Sequence, residues 1–494
     1  MDLSAYYIIN PNYRIRRDFN VATIYSNCVV SRDYPHREDL LSHIHLLTAQ
    51  MLCLFDGTNT ISDIVILMVN LFHISRETAI TILTRYTDGG DFSIKTENQY
   101  QYIPPAIIVQ KKQGLKYETY NRQDFESDNY SFCPPDRLEN PLTANILLTM
   151  SCYTDCIYCY ADRTLKRSPA FSHQNITRLI QEARKLNMAN VDINGGDVLL
   201  YPHWADIVKV LTEEGFSPLI STKKPLQKAD VDNMIKSGIT EVQFSLDSAI
   251  PEEIEKLQRL NGSKYIQDVK KGFQLVPPTL SISINTVLTS INANRGSIES
   301  LLSFLSEFDC VKKISFTPAG FSLYKQTYRD FAPTRSQITS LLGDIDSVYK
   351  AKYSRFEIGY SVGEYPPDHS NNGEFFRQRA YCTGNTRNVV ILPDGRVTIC
   401  EELYAHPTFI IGDLKFQTLE EVWKSSRALD LFHMQKESVQ GSSPCKNCCT
   451  FHECREGKGV CWKTILMAYG VNNWTFPDPM CPKAPEPHRK YWLE

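Results

Sequence analysis

Three cysteines stand close together in Cys152-Tyr153-Thr154-Asp155-Cys156-Ile157-Tyr158-Cys159, a C-x3-C-x2-C spacing. Three thiolates closing on one loop can hold three irons of a [4Fe-4S] cube and leave the fourth iron to a ligand from outside the protein. A zinc knuckle is the plainer reading of the spacing taken alone. Seven more cysteines follow in a set order: Cys382, then Gly395-Arg396-Val397-Thr398-Ile399-Cys400, then Cys445, Cys448 and Cys454 as C-x2-C-x5-C, then Cys461 and Cys481. Of the 15 cysteines, Cys28, Cys53, Cys133, Cys310 and Cys449 fall outside both patterns. The odd total leaves one thiol unpaired under any disulfide scheme, and metal ligation is the better reading in a reducing compartment.

The cytoplasm is the expected compartment. The opening MDLSAYYIINPNYRIRRDF lacks the basic-then-apolar order of an export signal, and no run approaches the ~18 to 20 apolar residues that span a bilayer. No membrane partner is expected. A formal net charge of -3 provides no positive field to attract a polyanion, so nucleic acid is not a favoured partner. At 494 residues the chain exceeds one ordinary hydrophobic core and implies several domains.

The elements that would position the thiols can be read from hydrophobic period. After a short extended start, residues 1–110 carry three helical patterns. The first ends at Leu54-Phe55-Asp56-Gly57. The second runs from Ser62 through Ile64, Leu67, Met68 and Leu71, and the third opens at Ser75 as N-cap. Asp88-Gly89-Gly90-Asp91 then leads into a two-stranded wing over 92–108. A three-helix unit with a wing suits DNA binding or peptide capture at a sheet edge. Residues 1–100 hold 8 Lys or Arg against 11 Asp or Glu, the reverse of a phosphate-binding face. A polar, Tyr-rich connector occupies 111–140.

From Ala144 strand-like runs alternate with helical patterns: 144–149, 191–194, 219–222, 241–246, 280–288 and 313–317. Such alternation implies a parallel sheet curled by right-handed crossovers, an α/β partial (β/α)6 barrel over 141–345, whose chemistry sits at the C-terminal strand ends. The cysteine loop follows the first strand, and Asn194-Gly195-Gly196-Asp197 follows the second. A linker at 346–380 leads to a cysteine-rich domain at 381–494.

Placed after the first barrel strand, with an aromatic before its last cysteine, the C-x3-C-x2-C loop resembles that of the radical S-adenosylmethionine (radical SAM) superfamily. The resemblance implies that Cys152, Cys156 and Cys159 hold the cluster that binds S-adenosylmethionine, and that Tyr158 lies beside the adenine. Gly195-Gly196-Asp197 stands where the family usually has Gly-Gly-Glu, its carboxylate facing the methionine ammonium. Ser221, Ser245 and Asn285, at strand ends, are implied to contact the ribose or methionine.

The tail is similar to SPASM domains, with one departure: six residues separate Cys454 from the next cysteine where three are usual. By this resemblance Cys445, Cys448, Cys454 and Cys481 hold a distal auxiliary [4Fe-4S] cluster, and Cys382, Cys400 and Cys461 a proximal one, making three clusters in all. Glu401 matches an acidic residue proposed as general base in a peptide-oxidising relative; a solvated acidic pair with Glu402 is the alternative. Ten cysteines against eleven positions leave one ligand open on the proximal cluster. A cysteine of the substrate would fill it and favour a thioether, unless Cys449 or Cys133 does so.

YYIINPNYRIRRDF followed by LCLFDGTNTISDIV resembles the leader-peptide recognition (PqqD-like) domains of ribosomal peptide-modifying systems. The expected whole is a winged-helix-like α+β domain, a radical barrel and an iron-sulfur SPASM domain, acting as an oxidoreductase. It would cross-link a precursor peptide that carries a leader, with flavodoxin or ferredoxin as electron donor. A protein side-chain oxidase similar to sulfatase-activating enzymes, and an iron-sulfur redox-sensing regulator, are the rival readings. Replacing Cys152, Cys156 and Cys159 together with Ala is expected to remove about four irons per chain and to abolish 5'-deoxyadenosine formation; retained cleavage would refute the assignment.

Overall fold

Helix starts in the N-terminal region sit where hydrogen-bonding side chains can satisfy the first-turn amides. The computed structural model describes residues 2–27, 40–97, 99–161, 171–324, 330–361, 382–452, 454–455 and 459–488. Thr60 and Asp63 form a reciprocal capping box, and Ser75 accepts from Thr78 N. The described chain divides into two compact units, one formed by 2–143 with 185–190 and the other by the remainder. Cys28 and residues 362–380 of the expected linker lie outside the described residues.

In the first unit the extended start is far longer than expected. Strands β1 (Tyr6–Ile9), β2 (Tyr13–Asp18), β3 (Val21–Ser26) and β4 (Leu41–His45) precede helix α1 (Leu46–Leu52). An antiparallel sheet β2–β3–β4 aligns Ile15 with Ile24, and Ala22 with Ile44, over the core. The charged YRIRRD run is a strand because its arginines are provided for: Arg16 Nε and Nη2 donate to the two oxygens of Asp18 at 2.9 and 3.1 Å. The first helix stops at Leu52, before Gly57, because Asp56–Thr60 is itself a strand, β5, paired with β1. Helices α2 (Ile61–Phe72) and α3 (Arg76–Thr87) and the wing of β6 (Phe92–Thr96) with β7 (Gln99–Ile103) follow. Strand β8 (Ile108–Gln110) completes a second sheet, β5–β1–β8. The connector holds one short turn of helix, Arg122–Phe125, whose Phe125 enters the core.

The second unit contains the six expected barrel strands: β9 (Thr143–Thr149), β10 (Asn190–Gly195), β11 (Ser221–Thr222), β12 (Glu241–Ser245), β13 (Ser281–Leu288) and β14 (Val311–Pro318). Helices separate them, beginning with α4 (His173–Lys185), which buries Ile176, Leu179, Ile180 and Ala183 on one face. From β11 to β14 the strands pair in parallel, and a seventh, β15 (Glu357–Tyr360), extends that sheet from within the expected linker. Four residues of modest hydrophobicity gave no signal for it. Strands β9 and β10 belong to a different sheet, together with β16 (Asn388–Ile391), β17 (Arg396–Thr398) and β18 (Ile410–Asp413) of the cysteine-rich region. Its order is β10–β9–β16–β17–β18, so the tail is a continuation of the barrel wall. Leu147 of β9 packs with Val390, Leu392 and Tyr404 behind that junction. Gly395, at the β16–β17 turn, has φ +85°, and a Cβ there would lie 2.8 Å from the Phe171 ring; the turn therefore requires glycine. No helix among the described residues is long and apolar enough to cross a membrane.

Candidate functional site

The cysteine loop leaves β9 at Thr149 and is pinned by its own backbone. Asp155 N and Ile157 N donate to Gln258 O and Leu257 O, at 3.1 and 2.9 Å, at the end of a helix over Pro251–Gln258. The Thr154 hydroxyl sits between two of the thiols, 3.6 Å from Cys152 Sγ and 3.1 Å from Cys156 Sγ. Cys156 is buried and Cys152 and Cys159 are half-buried, and none of the three is in a disulfide. Among the described residues no three His, Cys, Asp or Glu side chains close on one point as ligands of a single ion would. A cubane asks for something else, one thiolate at each of three corners, and an all-cysteine set on one loop fits it.

Tyr158 turns inward beside this loop. Its hydroxyl donates to Asp247 and accepts from Lys223 Nζ at 2.7 Å, while Lys223 Nζ also reaches Asp247 Oδ2 at 2.8 Å. Gln258 Nε2 donates to the same oxygen at 2.8 Å, and Val287 N to Asp247 Oδ1 at 3.1 Å. Burial, with Asp247 adding to it, holds the Tyr158 hydroxyl well above the usual phenol range. Burial alone would lower the Lys223 ammonium, but Asp247 and Cys156 outweigh it and hold it up. Lys223, Asp247 and Gln258 escaped the sequence reading; the doubled lysine after β11 and the aspartate two residues beyond Ser245 were the available signals.

The Gly195-Gly196-Asp197 turn rests on the root of the cysteine loop. Gly196 N donates to Thr149 O at 2.7 Å and Asp197 N to Ser151 O at 2.8 Å. A Cβ on Gly195 would lie 2.3 Å from Thr149 O, and one on Gly196 2.1 Å from Ser151 O. These glycines thus let two segments of the chain approach each other. Asp197 is buried and its carboxylate accepts from Leu199 N (3.1 Å), Thr222 Oγ1 (2.8 and 2.9 Å), Lys223 N and Lys224 N (both 3.0 Å). Burial pushes its pKa up, against these donors. Ser221 Oγ accepts from Gln243 Nε2 at 3.2 Å. Ser245, the last residue of β12, stands opposite Asn285, which is not at a strand end as expected but midway along β13, since that strand runs on to Leu288.

The tail thiols gather in two groups. Burial pushes Cys400 up to about 12, with the charges of Glu402, Cys461 and Cys382 adding to it. Cys454 is raised by burial to about 11, with Cys481 and Cys445 adding and Arg455 opposing; burial also raises Cys481, helped by Cys445 and Cys448. Cys382, Cys400 and Cys461 therefore form one neighbourhood, and Cys445, Cys448, Cys454 and Cys481 another. Thiols that resist ionisation in the free protein release their protons when iron binds. Exposed Cys449 shares Lys483 with Cys448, at 3.8 and 3.7 Å, beside the second group. Exposed Cys133 belongs to the N-terminal unit. Next to Cys400, Glu401 Oε2 accepts from Asn145 Nδ2 of β9 at 3.4 Å. Burial raises the Glu401 carboxyl, Glu402 adds to this, and Lys463 opposes it. Glu402 itself pairs with Lys463 at 2.5 Å.

The radical SAM superfamily model matches residues 146–304, and the SPASM iron-sulfur cluster-binding domain model matches residues 382–449. The chain thus joins a radical SAM domain to a SPASM domain and is a radical SAM/SPASM enzyme that uses S-adenosylmethionine and iron-sulfur clusters. A PqqA peptide cyclase of Gluconobacter oxydans (strain 621H) is 23% identical over 354 residues, covering 70% of this chain and 91% of the relative. A probable GTP 3',8-cyclase of Methanothermobacter marburgensis is 22% identical over 276 residues, 54% of this chain and 86% of that one. Streptococcus suis SuiB bound to precursor peptide SuiA shares the fold at a TM-score of 0.61, with 14% identity over 96% of this chain and all of SuiB.

Replacing Asp197 with Ala strands three backbone donors and a hydroxyl, and should cost about 3 kcal/mol or more, read as a lowered midpoint for unfolding of the second unit. Asp197→Glu, the length usual in the family, should also destabilise, because the extra methylene displaces the carboxylate from its donors. An unchanged midpoint in both variants would show that the donors find other partners.

Proposed function

We propose that the protein is a maturase that cross-links a ribosomally made precursor peptide, through a thioether or carbon-carbon bond. The observation that carries this reading is the position of Glu401. It follows a thiol of the proximal group, yet its carboxylate reaches Asn145 on the first barrel strand, next in chain order to the radical loop. A carboxylate beside an auxiliary cluster can accept a proton as a substrate radical is oxidised, and burial, by raising its proton affinity, makes it a stronger base. Relatives named for peptide cyclisation, and the fold shared with a protein solved with a precursor peptide, support the substrate class.

On this reading Cys152, Cys156 and Cys159 hold the radical cluster, Cys382, Cys400 and Cys461 the proximal cluster, and Cys445, Cys448, Cys454 and Cys481 the distal one. Bound to the reduced radical cluster, S-adenosylmethionine supplies a 5'-deoxyadenosyl radical that abstracts a hydrogen atom. Tyr158, Gly195, Gly196, Ser221, Ser245 and Asn285 would contact the bound cofactor. Asp197, its carboxylate occupied by chain donors, would serve by holding the Gly-Gly turn in place. The antiparallel sheet of the N-terminal unit offers strand edges of the kind that take up an extended leader, and tethering would raise the local concentration of a weakly bound core peptide. Flavodoxin or ferredoxin in the cytoplasm would supply electrons.

The test is to compare product mass and 5'-deoxyadenosine formation for the full chain, for a form lacking residues 2–110, and for Glu401→Gln. The truncation should lose modification of full-length precursor while keeping uncoupled cleavage of S-adenosylmethionine. Glu401→Gln should keep cleavage and lose the cross-link by about 100-fold or more. Wild-type product yield from the truncated form would exclude leader docking, and wild-type yield from Glu401→Gln would exclude its role as base.

A further inference from the structure

Arg455 follows the distal-group thiol Cys454 and is only 6% exposed. One terminal nitrogen, Nη2, donates to Phe476 O at 2.8 Å, Thr475 O at 3.2 Å and Cys445 Sγ at 3.4 Å. The other, Nη1, is buried with no hydrogen-bond partner among the described residues. The guanidinium carbon lies 5.1 Å from the centroid of the Trp462 ring and 5.8 Å from that of Phe451. Among the described residues no carboxylate forms an ion pair with it. A guanidinium cannot shed its proton, so this is a permanent charge removed from water with no counter-charge of its own.

Stacking on two rings returns only part of that cost, because a cation over an aromatic face gains less than an unpaired ion loses on leaving water. The buried Asp478 carboxylate also bears on Cys454 and Cys481, but it accepts from Cys461 N and Met480 N and, among the described residues, makes no ion pair with Arg455. Four thiolates around a [4Fe-4S] core leave a net negative charge, and sulfur accepts from N–H donors. Lys483 also approaches this group, 3.7 Å from Cys448 Sγ, but it is exposed and its charge is screened by solvent. Arg455 is the cation whose field the protein interior preserves. Among the described residues, the carboxylate that bears on Cys400 of the proximal group is Glu402, which is paired with Lys463.

We propose that Arg455 is the counter-cation of the distal cluster, hydrogen-bonded to Cys445 Sγ and raising the reduction potential of that cluster above that of the proximal one. Charge and hydrogen bonds to sulfur are the levers that set such potentials, because a fixed cation favours the more negative, reduced state. Arg455 is thus a positioning and tuning residue that touches no substrate. The inference rests on Cys445, Cys448, Cys454 and Cys481 forming one cluster.

The experiment uses the full chain with Cys152, Cys156 and Cys159 replaced by Ala, reconstituted with iron and sulfide, so that the auxiliary clusters alone are observed. Iron content and EPR-monitored redox titrations are compared for Arg455, Arg455→Lys and Arg455→Met. About eight irons are expected in the parent; about four, with one reducible centre, would remove the two-cluster reading itself. Given both clusters, Arg455→Met should move one midpoint to more negative potential and leave the other unchanged, with Arg455→Lys in between. If Arg455→Met fails to retain the distal cluster while Arg455→Lys retains it, the charge is what the site needs, as proposed. Unmoved midpoints in Arg455→Met, or equal loss of the cluster from both variants, would overturn the proposal in favour of packing alone.

Discussion

A single buried carboxylate joins what the hydrogen-bond ladders leave apart. The barrel strands fall into two sheets, and at the C-terminal end of the seam Asp197, just beyond β10, takes its donors from Thr222, Lys223 and Lys224 at the end of β11. Donors to an ionised oxygen bind more strongly than neutral pairs, and burial strengthens them further while penalising the loss of any one. The same residue hangs from the Gly195-Gly196 turn, whose amides grip Thr149 and Ser151, so the root of the cysteine loop and the seam of the wall are fixed together. A shorter side chain than the family usually carries at this position matches that task, since it brings the charge up against the backbone.

The second constraint is the shared sheet. Because β16 lies beside β9, the tail inherits its orientation from the barrel wall, and Glu401 arrives opposite Asn145. The burial that raises the Glu401 carboxyl comes from the same packing that places it. Side-chain identity alone would have left Glu401 and Glu402 equivalent. Geometry separates them, one directed to the first barrel strand and the other occupied by Lys463.

Much of this was legible in the sequence where a pattern was local. The thiol spacing, the six barrel strands with their apolar runs, and the Ser75 cap each depend on neighbours within a few residues. What escaped depended on distant partners. Tyr13–Asp18 read only as part of a short extended start because nothing nearby reveals that Arg16 also donates to Pro141 O and Asn140 O, at 3.0 and 2.7 Å. The glycines at 195 and 196 read as a family turn, and only the fold reveals that their missing side chains admit the carbonyls of residues 149 and 151. Arg455 reads as one more surface cation until its burial against Phe451, Trp462 and the Cys445 thiol is known. The Lys223–Asp247–Tyr158 network draws on three separate strand ends, a juxtaposition that only the parallel topology creates.

Placing β9 between β10 and β16 has a consequence for the order of biosynthesis. One ladder of β9 can form as soon as β10 is made, but the other waits until the whole of the remaining barrel has left the ribosome. Contacts between segments so far apart in sequence form late, because the closure entropy of the intervening chain must be met first. During that interval one edge of β9 is open, directly beside the loop of Cys152, Cys156 and Cys159. Iron delivered early would meet a half-built wall and thiols exposed to oxidation. Assembly of the radical centre is therefore best completed after translation, on a chain whose tail has already closed over the first strand.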